Sequence, residues 1–272
     1  GGKNPVVVAP GANIARSAAR ITRGRMVNGG QVCVCPDYVF VPDDQMDSFV
    51  DTARATLRDM FGSIVSNGDY CSSVNEANFD RVVGLIEDAR DLGASVETIA
   101  PEGESLPDRA SRKIAPTIVR GIDERMKIAG EEIFGPVLVV KGYSRLDDAI
   151  DYINQRPAPL VAYWYGPDGA DFRHFVRNTR SGGVARNDFA AQMIPSAAPF
   201  GGVGRSGMGA YHGKAGFDTF SHHRSVVGND LPFSLGGNAA PPFGSAMQMY
   251  ANAMMRRARS RTQRRLRSRP GA

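Results

Sequence analysis

Apolar positions along the chain follow two alternating periods. Uninterrupted runs such as VVVA at 6–9, YVFV at 38–41, VLVV at 137–140 and LVAYWY at 160–165 read as strands covered on both faces. Stretches of helical spacing separate them. Ile14, Ala18, Ile21 and Met26 fall on one side of a helix that Asn13 caps and that runs to about residue 27. Phe49, Ala53, Leu57 and Met60 share a face of a second helix, with Asp43 and Asp44 as its expected caps. A third is expected from 76 to 92, ended by Gly93, and two more over 146–154 and 170–178. Shorter strands are expected at 96–99, 114–119 and 183–185; Pro116 inside the second predicts an edge or a bulge. Strands alternating with helices define βαβ units. The fold class is therefore α/β, a mainly parallel sheet with flanking helices.

From Ser196 the pattern changes. Seven glycines in the eighteen residues 199–216 make that stretch a loop. Alternation in FDTFSHHRSVV predicts a strand over 217–227, and Gly and Pro dominate 228–245. Residues 246–267 form a candidate basic helix, with Met247, Tyr250, Met254 and Ala258 on one face. The resulting division is a main domain over 1–213, a strand segment over 214–230, and a linker with an Arg-rich tail over 231–272.

At 272 residues with 42% hydrophobic content, the chain supports a real core and excludes global disorder. No apolar run approaches the roughly 18 residues of a spanning helix. Eight arginines and no acidic residue follow Asp230. They exceed the net charge of +5 and leave −3 on residues 1–230, so the basic character belongs to the tail. The preferred reading of the tail is a solvated, partly disordered segment; its basic helix with one apolar side suits weak contact with an anionic membrane surface better than nucleic acid. Three cysteines point to a reducing, cytoplasmic setting rather than a disulfide framework. The opening Gly-Gly-Lys-Asn-Pro, without methionine, reads as the start of a partial chain.

Chemistry gathers at two places. Cys33 follows Asn28-Gly29-Gly30-Gln31-Val32, where free backbone N–H groups can face a carbonyl that a thiolate attacks. A cysteine in a VCVCP run is, on spacing alone, more often a small buried hydrophobe. Cys35 is two residues on and, if the run is a strand, points to the same side; no further ligand sits at zinc spacing. Glu131 and Glu132 precede Ile133-Phe134-Gly135-Pro136, a turn whose acid suits a ribose hydroxyl and whose Phe134 suits a flat ring. Gly202, Gly204 and Gly207 match G-x-G-x-x-G, but without a strand before them and a helix after; tight backbone packing is the better explanation. The four histidines read as structural or surface residues, and Cys71 as incidental. Tyr163, Trp164 and Phe189 are candidates for the border of an apolar tunnel.

Taken in order, GGKNPVVV, GQVC at 30–33, EEIFGPV at 131–137, SGGV at 181–184 and PFGGVGRSGMGAYHGKAGFDTFSH resemble the NAD(P)-dependent aldehyde dehydrogenase superfamily over about residues 1–230. The last segment is most similar to the class 3 branch, which includes fatty and coniferyl aldehyde dehydrogenases. The resemblance implies that Cys33 is the nucleophile, passing through a thiohemiacetal and a thioester. It implies that Glu132 contacts the nicotinamide ribose of NAD or NADP and that Phe134 packs beside the nicotinamide end. It implies a small-molecule aldehyde substrate, a homodimer in the full-length enzyme, and oligomerisation through the 214–230 strand. The family's general base, the glutamate of Glu-Leu-Gly-Gly, is expected just before Gly1, with most of the dinucleotide-binding domain upstream. Little dehydrogenase turnover is then expected of the chain alone. Arg186 stands where an apolar residue is common. Two competing functions are a non-catalytic assembly module using the sheet edge and tail, and a cofactor-free thiol acyltransferase or esterase using Cys33.

Overall fold

The computed structural model describes residues 1–232, 234, 241 and 243–267. Seven strands form one sheet: β1 Asn4–Val8, β2 Pro36–Pro42, β3 Ser95–Thr98, β4 Thr117–Arg120, β5 Val137–Tyr143, β6 Val161–Tyr165 and β7 Gly183–Arg186. Their order is β3-β4-β5-β2-β1-β6-β7, and every pairing is parallel except that of the edge strand β3 with β4. Helices α1 Ile14–Met26, α2 Met46–Met60, α3 Glu76–Asp91, α4 Lys127–Gly130, α5 Leu146–Asn154 and α6 Ala170–Asn178 flank it.

Alternation along each strand sorts side chains into two cores. Val6, Val8, Val39, Val41, Leu138, Val140, Tyr163 and Tyr165 face one side, with Ala18 and Ile21 of α1 and Phe49 and Leu57 of α2. Val7, Tyr38, Phe40, Val139, Ala162 and Trp164 face the other, with Phe79 and Val82 of α3, Ile150 of α5 and Phe175 of α6. Two buried faces explain why these strands carry no polar alternation. Asn13 caps α1 as expected, its side chain accepting from the Arg16 N–H at 2.9 Å.

Several local expectations change. Pro116 lies just before β4, and its carbonyl accepts from the Ile99 N–H at 2.8 Å; β4 is internal, so Pro116 marks a strand start and not an edge or bulge. Asp43 and Asp44 form a single 3-10 turn ahead of α2, with Asp43 bonded to the Ser144 hydroxyl, so neither caps α2. Within the segment expected to be a strand, Gly213–Thr219 is helix α7 and residues 220–230 carry no regular structure. Lys214 pairs with Asp218 one helical turn away, and the Thr219 hydroxyl donates to the Ala215 carbonyl. A strand needs a neighbouring ladder, which local helical bonds do not; the 217–227 alternation alone supplies none.

The chain divides into two units, Gly1–Ser221 and His222–Ala272. In the second, helix α8 Ser245–Arg267 follows the basic pattern, with Tyr250 and Met254 exposed. Part of the Gly/Pro-rich linker and residues 268–272 lie outside the described residues. No helix among the described residues is long and apolar enough to cross a membrane.

Candidate active site

Cys33 and the 131–136 turn meet at the amino ends of two adjacent strands. Cys33 lies three residues before β2, and Pro136 directly precedes β5, which pairs with β2. The chain leaves α1 through Asn28 and Gly29 in left-handed conformation, with Gly30 at φ 79°. Gln31 anchors this turn. Its amide donates to the Asn28 and Ser72 carbonyls at 3.1 and 2.9 Å, and its oxygen accepts from the Val74 N–H at 2.7 Å.

Cys33 sits in a turn closed by the Cys35 N–H donating to the Val32 carbonyl at 2.9 Å. The expectation of a shared strand face for the two thiols therefore fails. Cys33 is half-buried and rests against the core that contains α1 and α2. Cys35 is 2% exposed, its Sγ 3.6 Å from the Gly24 carbonyl at the end of α1. Burial pushes the Cys35 thiol above its usual pKa, which suits a protonated packing residue. Asn4 and Tyr163 hold the backbone around Cys33. The Asn4 amide donates to the Cys33 and Cys35 carbonyls at 2.9 and 3.0 Å, and the Tyr163 hydroxyl donates to the Val34 carbonyl at 2.6 Å. Tyr163 and Trp164 are fully buried core residues, and among the described residues they line no open surface, because β6 is covered on both faces. Phe189 packs against Gly24.

The 131–136 turn is fixed mainly through its backbone. Asp37 accepts the Ile133 N–H at 3.0 Å, Asn78 donates to the Phe134 carbonyl at 3.0 Å, and Arg81 donates to the Glu132 carbonyl at 3.0 Å and to that of Ile133. Phe134 is half-buried at φ 50°, a left-handed strain these bonds hold in place. Arg25, buried at 2% exposure, donates to the Pro36 carbonyl at 2.8 Å and to that of Gly135 at 2.5 Å. It thereby ties the end of α1 to both strand starts. Lys3 pairs with Asp37 at 2.7 Å under near-complete burial, and desolvation lowers the Lys3 pKa despite the pairing.

Glu132 is half-buried at a cavity of about 330 Å³ that Lys3, Arg156, Arg205 and Ser206 also line. Burial raises its carboxyl above the usual range, and its Oε2 accepts the Gly2 N–H at 2.8 Å. Cys33 does not line this cavity. The structure thus packs the Cys33 turn against the 131–136 turn while the thiol and the Glu132 carboxylate face different surroundings. Sequence reasoning missed Asn4, Arg25, Asp37 and Arg81. For Arg25 a signal was present: it falls four residues after Ile21, on the apolar face of α1. Of the three glycines expected to pack tightly, Gly202 and Gly207 do, a Cβ on Gly202 striking the Ser206 carbonyl oxygen at 2.1 Å and one on Gly207 lying 3.0 Å from the Gly202 nitrogen, whereas Gly204 faces open space at φ 64°.

The sheet and its turns define an α/β domain built around a turn-borne cysteine. Residues 1–226 match the family model described as the aldehyde dehydrogenase family, and the chain belongs to that family. A probable coniferyl aldehyde dehydrogenase of Caulobacter vibrioides is 43% identical over 253 residues, covering 92% of this chain and 52% of the relative. A dimeric NADP-preferring aldehyde dehydrogenase of Rattus norvegicus is 38% identical over 232 residues, covering 85% and 49%. Among solved structures, the substrate-bound state of Staphylococcus aureus AldH superposes with a TM-score of 0.77 at 35% identity, covering 94% of this chain and 54% of that one. The chain spans about half the length of the curated relatives it matches.

Proposed function

We propose that this chain carries the thiol side of an NAD(P)-dependent oxidation of an aldehyde to a carboxylic acid, with Cys33 as nucleophile. The observation that carries the reading is the contrast between the two thiols. Cys33 sits half-buried on a glycine-supported turn, while Cys35 is sealed beneath it. The Cys33 Sγ bonds to the aldehyde carbon, giving a thiohemiacetal and later a thioester that water cleaves. Among the described residues the Cys33 N–H donates to no protein acceptor, which leaves it for the oxyanion that develops.

The residues present suit a dinucleotide. A half-buried carboxylate beside an open cavity gains from hydroxyl donors, so Glu132 would hold the nicotinamide ribose and Phe134 would flank the ring. NAD or NADP bound there supplies the hydride acceptor. Relatives named for coniferyl aldehyde make coniferaldehyde the first substrate to try. The rat relative, named as dimeric, supports a homodimer, and a nucleophilic thiol supports a reducing, cytoplasmic compartment.

The test is NAD(P)H formation from coniferaldehyde by the protein containing this chain, alongside its Cys33→Ser variant, with peptide mapping of an acyl adduct on the thiol. Loss of turnover and adduct together in Cys33→Ser is expected. Full turnover in the variant refutes the assignment, and Cys33-dependent ester cleavage without any aldehyde oxidation replaces it with the esterase reading.

A further inference from the structure

Arg186 leads to a second cavity, which Cys33 does not line. It ends β7, and with Arg16 and Arg20 of α1 it lines a cleft of about 280 Å³, together with Gly11, Asn13 and Tyr165. The cleft lies at the carboxyl ends of β1, β6 and β7. It also lies where the chain order reverses. From β1 the sheet grows through α1 to β2 on one side, and β6 and β7 lie on the other. Crevices at such reversals, outside the carboxyl ends of parallel strands, are where open α/β sheets bind ligands.

Three observations give this crevice a sign. The amino end of the 13-residue α1 borders it; Asn13 takes the Arg16 N–H, and the Ile14 and Ala15 N–H groups lack intrahelical acceptors. Arg16, Arg20 and Arg186 form no ion pair with any carboxylate among the described residues. Arg20 donates to the Asn187 carbonyl at 2.7 Å and Arg186 to that of Gly166 at 3.2 Å, and each keeps further N–H donors free. Independently of both, Tyr165 is 1% exposed and its hydroxyl has no hydrogen-bond partner among the described residues. A buried orphan hydroxyl is costly, and here it belongs to a residue that lines the crevice beside Arg20. Burial keeps this phenol protonated, hence a donor. The acidic side chain nearest in effect, Asp188, is exposed and accepts the Phe189 N–H at 2.9 Å.

We propose that the crevice at the amino end of α1 binds the phosphate of a small soluble phosphomonoester, held by Arg16, Arg20 and Arg186 with the Tyr165 hydroxyl as a buried donor. Three guanidinium groups and a helix amino end suit a dianion better than a single carboxylate. The crevice, of about 280 Å³, has room for a phosphate with a few attached carbons. The proposal stands apart from the thiol reading, because its readout is binding alone.

The experiment titrates the protein with inorganic phosphate and with glycerol 3-phosphate by calorimetry, at ionic strength held constant with sodium chloride. Saturable one-to-one binding is expected. Arg16→Gln and Arg186→Leu should each weaken it at least fivefold. Tyr165→Phe keeps the ring packing and should weaken it while leaving the unliganded protein at least as stable to heat. Arg23→Gln, an exposed arginine of α1 outside the crevice, should change nothing. Absence of saturable binding overturns the proposal, as does equal weakening by Arg23→Gln or undiminished affinity in Tyr165→Phe. Sedimentation with phosphatidic acid vesicles without binding of either soluble probe overturns it too.

Discussion

Gly30 lies directly on the carbonyl of Gly135: a Cβ at position 30 would sit 2.1 Å from that oxygen. Through this contact the glycine turn that presents Cys33 is registered against the turn that presents Glu132 and Phe134. Gly30 also has φ 79°, so its lack of a side chain is required twice over. Gly30→Ala should cost more than the roughly 1–2 kcal/mol of left-handed strain, because one of the two turns must move. The check is urea unfolding together with the alkylation rate of Cys33. Unfolding midpoint and rate both equal to wild type would show that the turns are not coupled.

Arg25 reinforces the same junction. Replacing it with methionine keeps most of the volume but removes the guanidinium from the Pro36 and Gly135 carbonyls, of which Gly135 still accepts the Val137 N–H at 2.9 Å. The expected loss is about 1–3 kcal/mol, the scale of losing hydrogen bonds from a buried charged donor. Arg25→Lys should recover little, since an ammonium cannot span both carbonyls as the planar fork does. Denaturant unfolding of both variants measures this, and a lysine variant of wild-type stability would contradict it.

The two neighbouring thiols should differ sharply in reactivity. Iodoacetamide under native conditions is expected to label Cys33 and the exposed Cys71 and to spare Cys35, which burial keeps protonated. Quantitative peptide mapping reads the three sites in one experiment. Labelling of Cys35 as fast as Cys33 in the folded protein would remove the structural distinction on which the choice of nucleophile rests.

Glu132 gives a pH signature with a definite sign. Its folded-state pKa is raised above the ordinary glutamate value of 4.5, chiefly by burial. Between 4.5 and that higher value the folded protein retains a proton that the unfolded chain has released. Stability relative to Glu132→Gln should therefore fall as pH rises through this window and level off above it. Thermal melts of both proteins from pH 4 to 8 test this; a difference that grows with pH in favour of wild type would reverse the assignment.

Much of the fold was legible because its signals are local. The uninterrupted VVV, VLVV and VAYWY runs follow from strands with two covered faces, and the Asn13 cap and the end of α3 at Gly93 are short-range chemistry. Pro116 and the 217–227 segment went astray for a non-local reason: whether a strand is internal, or exists at all, depends on which backbone lies beside it. At the site, the order of GQVC and EEIFGPV along the chain located both turns.

By itself the sequence determined the alternation of strand and helix, the covering of the sheet on both sides, and the two turns that carry Cys33 and Glu132, since these depend on neighbours a few residues away. Only the tertiary structure decided which of Cys33 and Cys35 faces outward, that Arg25 is a buried clamp, and that Arg16, Arg20 and Arg186 share a crevice. Those outcomes are set by packing between residues as far apart as 16 and 186, where burial and electrostatics act through space and leave no periodic trace along the chain.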